Sequence, residues 1–262
     1  EAKWQIVERA IKYSCKKLQL FKGYFNEEMI QKENVIVAVT SEGYVKRIPL
    51  KSYVAANGEP TTLKPGDHIE GLYSTTTLDT LLLFTNQGQY LYVPIHEIVE
   101  TKWKELGKHI SNFIPLAPEE RIISSMILDD PKGYVIMTTK QGVSKRTQIE
   151  ELIVSRYTKT INAMKLKDGD EMVSAVKDNG VALFVTKNGN YLKIDSNEIP
   201  IVGSKASGVR GINVKDDEVV AAIPFDMMGI DSNNIPEMVN ANFYKCGDNL
   251  SVPHFVSWSP IA

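Results

Sequence analysis

The sequence has 262 residues, 43% of them hydrophobic and 24% charged. That is an ordinary globular composition, without the roughly 18 uncharged apolar residues in a row that a membrane span needs. Its formal net charge is −2, and residues 33–225 carry 22 Lys and Arg against 24 Asp and Glu, so bulk charge gives no hint of a nucleic-acid partner, and any such contact must come from local clustering of cations.

Residues 1–32 come first. Trp4, Val7, Ile11, Cys15 and Leu18 recur every three to four positions with lysines between them, which predicts an amphipathic helix. The same stretch interleaves Lys3, Arg9, Lys12, Lys16, Lys17 and Lys22 with its apolar residues, so no signal peptide is expected. Cys15 and Cys246 lie near opposite ends, which argues against a disulfide framework or a metal cluster and predicts a reducing, cytoplasmic setting.

From residue 33 one pattern recurs four times: an apolar run, Thr-x-x-Gly, then a second apolar run. The four turns read Thr40-Ser-Glu-Gly43, Thr85-Asn-Gln-Gly88, Thr139-Lys-Gln-Gly142 and Thr186-Lys-Asn-Gly189. Runs rich in Val, Ile, Leu, Phe and Tyr around a polar triplet ending in Gly predict β-hairpins, the glycine supplying the positive φ of a tight connection. A second signal trails each hairpin: Leu63-Lys-Pro-Gly-Asp67, Leu116-Ala-Pro-Glu-Glu120, Leu166-Lys-Asp-Gly-Asp170 and Val214-Lys-Asp-Asp-Glu218. Each is a turn followed by another apolar run. Units of about four short strands at this period, near residues 33–75, 76–126, 127–175 and 176–225, predict an all-β, propeller-like array. Residues 226–262 contain no Thr-x-x-Gly and stand outside the repeat.

Catalytic readings lack parts. His68, His96, His109 and His254 are not at metal-ligand spacing and no cysteine accompanies them. There is no Gly-x-Ser-x-Gly elbow and no phosphate-cradling Gly-x-x-x-x-Gly-Lys loop. The acid pairs Asp129-Asp130, Glu150-Glu151 and Asp216-Asp217 read as turn and solvating residues.

Gly43-Tyr-Val-Lys-Arg47 after a Val-rich strand resembles the blade signature of the C-terminal β-pinwheel domain of the gyrase A/topoisomerase IV A family. Lys102-Trp-Lys-Glu-Leu-Gly-Lys-His109, Leu166-Lys-Asp-Gly-Asp-Glu171 and Val202-Gly-Ser-Lys-Ala-Ser-Gly-Val-Arg-Gly-Ile-Asn-Val214 are similar to topoisomerase IV members of Gram-positive type, in family order over roughly residues 33–225. Gyrase members carry a basic Gln-Arg-Arg-Gly-Gly-Lys-Gly box in the first blade, whereas the corresponding loop here, Tyr53 to Pro60, holds no cation. The resemblance implies a pinwheel whose blades exchange strands, which binds and positions duplex DNA without cofactor or metal of its own. It further implies a parent ATP-dependent DNA topoisomerase in which ATP and Mg serve other parts, partnered by a second A subunit and by the ATPase B subunit, in the cytoplasm at the nucleoid and away from membranes. Alternatives are a gyrase domain with a degenerate box, or a propeller scaffold binding protein or carbohydrate. The last rests on Ala241-Asn-Phe-Tyr-Lys-Cys-Gly-Asp248 and Pro253-His-Phe-Val-Ser-Trp-Ser-Pro260, which are similar to the carbohydrate-binding family 9-like module.

If DNA is the partner, cations must repeat on one surface. Four residues past each hairpin glycine stand Arg47, Tyr92, Arg146 and Lys193; three past stand Lys46, Leu91, Lys145 and Leu192. Alternation along a strand sends the two columns to opposite faces, and the first is the expected outward basic ring, with Lys46 and Lys145 as further DNA-binding candidates. In the second unit Lys102, Lys104 and Lys108 flank Trp103, itself expected to pack between blades. Arg156, Lys159, Lys205 and Arg210 are the corresponding loop candidates of units three and four.

Overall fold

Each Thr-x-x-Gly segment closes an antiparallel hairpin in the computed structural model, which describes residues 30–224. The hairpins are β1 (Asn34–Thr40) with β2 (Tyr44–Pro49), β4 (Thr80–Thr85) with β5 (Gln89–Pro94), β8 (Tyr134–Thr139) with β9 (Val143–Gln148), and β12 (Val181–Thr186) with β13 (Tyr191–Asp195). The turn glycines have φ values of 81°, 72°, 80° and 82°, a region that L side chains enter only with strain. The threonine hydroxyl ties the turn down from the other side. Thr40, Thr139 and Thr186 each accept the backbone N–H of the residue after the glycine, at 3.1–3.2 Å.

The second repeated signal locks the first. Asp67 Oδ1 accepts from the Glu42 N–H at 3.0 Å, Asp170 Oδ1 from Gln141 at 3.1 Å and Asp217 Oδ1 from Asn188 at 3.1 Å. A carboxylate therefore caps the N–H groups that a tight turn leaves unpaired. In the second unit Glu120 accepts from the Thr85 hydroxyl instead, at 2.7 Å, and the Asn86 side chain accepts from the Arg121 N–H.

After each lock comes a third strand: β3 (Ile69–Thr76), β7 (Ile122–Leu128), β11 (Met172–Lys177) and β15 (Val219–Pro224). Each pairs with the first strand of its own hairpin. The fourth strand of a sheet comes from the next unit. β6 (Lys108–His109) pairs with β2, β10 (Ile161–Asn162) with β5, and β14 (Val209–Arg210) with β9. The sheet orders are thus β3-β1-β2-β6, β10-β5-β4-β7, β11-β8-β9-β14 and, among the described residues, β13-β12-β15. This is an all-β, propeller-type array with strand exchange. The only α-helix among the described residues is the short α1 (Leu50–Ala55). The predicted helix of residues 1–32 lies, but for its last few residues, outside the described residues, and the tail 226–262 lies wholly outside them.

Successive sheets pack face to face, so alternate residues of each hairpin enter different cores. Val35, Val37 and Val39 meet Leu81, Leu83 and Leu91. Leu82, Phe84 and Tyr90 meet Val135 and Met137. Ile136 meets Ala182 and Phe184. Because both faces are covered, the hairpin strands read as unbroken apolar runs rather than alternating ones. Ile36, Ala38 and Ile48 face away from the second sheet and are covered by Trp103, Leu50 and Tyr53.

Candidate nucleic-acid interface

The surface that could meet a polyanion is laid down by the exchanged segments. After β5 the chain makes a 3-10 turn (Ile95–Glu97) and runs parallel to the end of β2, where the Thr101 N–H donates to the Arg47 carbonyl. It then passes Trp103 and returns antiparallel as β6. The fourth unit repeats the path: a 3-10 turn (Ser196–Glu198), a parallel bridge from Ile201 to Arg146, then β14 against β9. Glycine precedes β6 and β14 for steric reasons. A Cβ on Gly107 would sit 2.7 Å from the Val45 carbonyl oxygen, and one on Gly208 would sit 2.5 Å from that of Ser144.

This crossing explains why four of the expected DNA contacts are covered or nearly so. Lys46 and Lys145 are 1% and 0% exposed. The Lys46 ammonium donates to the carbonyls of Trp103 (3.2 Å) and Glu105 (2.8 Å) and to the Thr61 hydroxyl, and lies 5.2 Å from the Trp103 ring centroid. The Lys145 ammonium donates to the carbonyls of Ala163 (2.6 Å) and Gly203 (2.9 Å). The crossing chain turns over these strands and leaves carbonyls without sheet partners; a long cationic side chain rising from beneath satisfies them. Burial pushes both ammonium groups down to about 8, against a smaller upward pull from Glu105 and Glu151 respectively.

Arg146 is likewise 6% exposed. Its Nε donates to the Ile199 carbonyl at 2.9 Å, its Nη1 contacts Asp178 at 3.1 Å, and its guanidinium lies 5.2 Å from the Tyr134 ring. Arg47, with a side chain 15% exposed, stands 3.8 Å from Glu100, and Tyr92 stacks on Tyr157 at 5.6 Å. The expected outward ring is therefore mostly an inner seam. The two columns do point to opposite faces, but in the first and third units neither face of the hairpin is free, whereas Leu192 and Lys193 of the fourth are exposed. Trp103 is buried as expected, at 8% exposure. It lies on the far side of the first sheet, edge-on to Tyr53 at 4.9 Å and donating from Nε1 to the Glu59 carbonyl at 2.6 Å, not between two described sheets.

The remaining candidates are exposed: Lys102, Lys104, Lys108, Arg156, Lys159, Lys193, Lys205 and Arg210. All but Lys193 ride on the segments that lead into β6, β10 and β14, the outermost strands of three sheets. Lys104 is paired with Glu59. The crossing segments of units three and four lie side by side, since the Lys165 N–H donates to the Ala206 carbonyl at 3.2 Å and the Asn162 amide to the Ser204 carbonyl at 2.8 Å. This brings in Lys165 and Lys167, both exposed and both absent from the candidates drawn from the sequence. A signal for Lys167 exists, because a lysine follows the apolar residue of the second motif in three units, as Lys64, Lys167 and Lys215.

Among the described residues no group of His, Cys, Asp and Glu could hold a metal ion, and no helix is long and apolar enough to cross a membrane.

Comparison with known proteins follows the same division of the chain. The family model for the DNA gyrase C-terminal domain, a β-propeller, matches residues 34–76, 79–129, 133–177 and 181–226. The A subunit of DNA topoisomerase 4 from Bacillus subtilis (strain 168) is 36% identical over 200 residues, covering 75% of this chain and 25% of that protein. Its counterpart from Staphylococcus epidermidis is 35% identical over 198 residues, covering 74% and 25%. A crystal structure of the C-terminal domain of DNA topoisomerase IV superposes with a TM-score of 0.69 at 40% identity, covering 74% of this chain and 62% of that one. The chain thus spans about a quarter of the length of the curated relatives it matches.

Proposed function

This chain belongs to the DNA gyrase C-terminal domain family of β-propellers, and from that premise we propose that it is a non-catalytic module that holds duplex DNA by its phosphates along the outer edges of its sheets. The observation that carries the reading is the placement of Lys102, Lys108, Arg156, Lys159, Lys205 and Arg210 on equivalent crossing segments, exposed, while Lys46, Lys145 and Arg146 are engaged inside. Exposed lysines and arginines displace condensed counterions from a duplex, an effect that is independent of base sequence and that falls steeply with salt. Such contacts set position and register without reading bases. A molecule of overall charge −2 can still do this, because these cations are grouped on the crossing segments at the outer edges of three sheets.

The resemblance to topoisomerase IV A subunits and the cation-free loop from Tyr53 to Pro60 favour positioning of a DNA segment over wrapping. In this reading strand cleavage and passage, the use of ATP and Mg, and pairing with a second A subunit and an ATPase partner belong to a longer protein, and the setting is the cytoplasm.

Fluorescence anisotropy of a labelled duplex against rising salt tests the proposal. Wild-type protein should bind with a log–log salt slope near about −0.9 per phosphate neutralised. Lys102→Glu with Lys108→Glu, and separately Lys159→Glu with Lys205→Glu, should each weaken binding and flatten that slope. Unchanged affinity at low salt in both pairs would remove the outer edge as the DNA surface.

A further inference from the structure

Beside Arg210, three elements of the array meet around a groove of about 380 Å³ lined by Gln141, Val143, Lys167, Gly208, Val209 and Arg210. Gln141 and Val143 flank the glycine of the third hairpin turn, Lys167 belongs to the lock that caps that turn, and the last three residues form and precede β14. We propose that this groove is a phosphate-binding site for one group of a nucleic-acid backbone, with Lys167 and Arg210 as its two cationic walls. The inference rests on the reading of the outer edge as a DNA surface and adds which junction grips most tightly.

The other units show why the third is distinct. In the first sheet Tyr44 pairs with His109 in the same register in which Val143 pairs with Arg210. There the Tyr44 and His109 rings pack edge to face at 5.2 Å, and Lys64, the counterpart of Lys167, lies 4.7 Å from the Tyr44 ring. Glu42 stands in the place of Gln141, since both donate their backbone N–H to the locking aspartate. Aromatic rings and an acid therefore occupy the first-unit position. In the second sheet the paired residues are Gln89 and Asn162, both uncharged. Of the three sheets whose fourth strand is among the described residues, the third alone combines a small residue at this position, a neutral amide at the turn and two cations in the lining of the groove. Its lining holds no carboxylate, because Asp170 is turned into the lock, accepting from the Gln141 and Glu171 N–H groups. Two like charges converging on one opening repel each other until an anion enters, and a guanidinium with an ammonium is a set suited to a phosphate oxygen pair.

Duplex DNA and free phosphate share this chemistry, and the test separates them. On the full chain, Lys167→Gln with Arg210→Gln should lower duplex affinity about tenfold at low salt and flatten the salt slope. Gln141→Glu leaves both cations in place and returns to the turn the acid that Glu42 supplies in the first unit; it should also weaken duplex binding, with an unchanged melting temperature because this side chain is exposed. Inorganic phosphate, followed by amide shifts of Gly208 and Arg210 in NMR, should perturb wild-type protein and not the double variant. If the Lys102/Lys108 pair weakens duplex binding but both groove variants leave it intact, the groove is wrong and the outer-edge reading stands. If phosphate shifts the amides while duplex affinity is insensitive to the groove, the site takes a free anion and the backbone assignment is overturned. If no variant weakens duplex binding, both readings fall.

Discussion

The Lys145 ammonium meets the carbonyl of Gly203, 58 residues away in sequence, at 2.9 Å, and in the same reach donates to Ala163 at 2.6 Å. One side chain thereby ties the third hairpin to the crossing segments of two different units. Lys46 does the same for Trp103 and Glu105 above the first hairpin. Where the chain turns after strand exchange these carbonyls find no sheet partner, and the two lysines donate to them, together with the Ala206 N–H at Gly203 and the Thr61 hydroxyl at Trp103.

Removing the Lys145 ammonium takes away the donor to the buried Ala163 carbonyl, while the Gly203 carbonyl keeps the Ala206 N–H. Lys145→Met, which keeps the stem and loses the head, should destabilise the array by about 2 kcal/mol, the usual range for a buried hydrogen bond to a charged group. Chemical denaturation would measure this, and limited proteolysis should show earlier cleavage in residues 153–162 and 202–210. An unchanged denaturation midpoint would mean that water replaces the ammonium.

The same burial fixes a pH dependence. Both ammonium groups fall to about 8 in the folded state from an ordinary value of 10.5. Between those limits the unfolded chain holds protons that the folded chain has released, so stability rises with pH across that window. Tyr90 acts oppositely above its ordinary value of 10.0, since burial raises its phenol to about 12. Wild-type protein should therefore gain stability from about pH 8 to about pH 10, and a Lys46→Met, Lys145→Met variant should not. Parallel pH profiles for the two proteins would contradict the assignment.

At acid pH the turn locks respond. Burial works to raise Asp67, but hydrogen bonds from Thr40, the Glu42 N–H, Ser41 and the His68 N–H outweigh it and hold the carboxyl below its usual 3.8. Asp217 is held low in the same way, by Thr186, Asn190 and two backbone N–H groups acting against burial. A depressed carboxylate stabilises above its unfolded value, and that contribution is lost as pH falls through the folded value. Asp67→Ala should lose about 1–2 kcal/mol at neutral pH and show a smaller further loss on acidification than the wild type. Urea titrations at about pH 6 and about pH 3, either side of the usual carboxylate range, provide the comparison.

Much of this is legible in the sequence. The Thr-x-x-Gly runs mark the hairpins, because a positive-φ glycine and flanking apolar runs are local signals. The Leu-Lys-x-Gly-Asp signal marks a turn, but its partnership with the preceding hairpin is not visible, since the Asp67 to Glu42 bond spans 25 residues. The strand exchange follows from family resemblance, not from pattern: β6, β10 and β14 are two residues long, too short to carry periodicity. Lys46, Lys145 and Arg146 mislead for a physical reason. A cation after a turn normally solvates an exposed strand, and nothing local announces that a chain from the next unit will lie across it. Lys167 escapes notice because its setting reads as a turn.

Arg146 illustrates the consequence for mutagenesis. Its contact with Asp178 joins two side chains that are 7% and 5% exposed, so a charge reversal at Arg146 would report on folding and not on DNA. Arg146→Met alone leaves Asp178 buried without its cation and should cost about 3–5 kcal/mol. Asp178→Asn alone should be destabilising as well, since the guanidinium loses its counterion while keeping the Ile199 carbonyl and Asn197 as acceptors. Combining Arg146→Met with Asp178→Asn should recover part of the loss, giving a coupling of about 1–3 kcal/mol in a double-mutant cycle by thermal or urea denaturation. Strict additivity of the two single effects would show that the pair is not coupled. Duplex affinity of whichever variants stay folded should match the wild type, because the guanidinium lies beneath the crossing segment and touches no exposed edge.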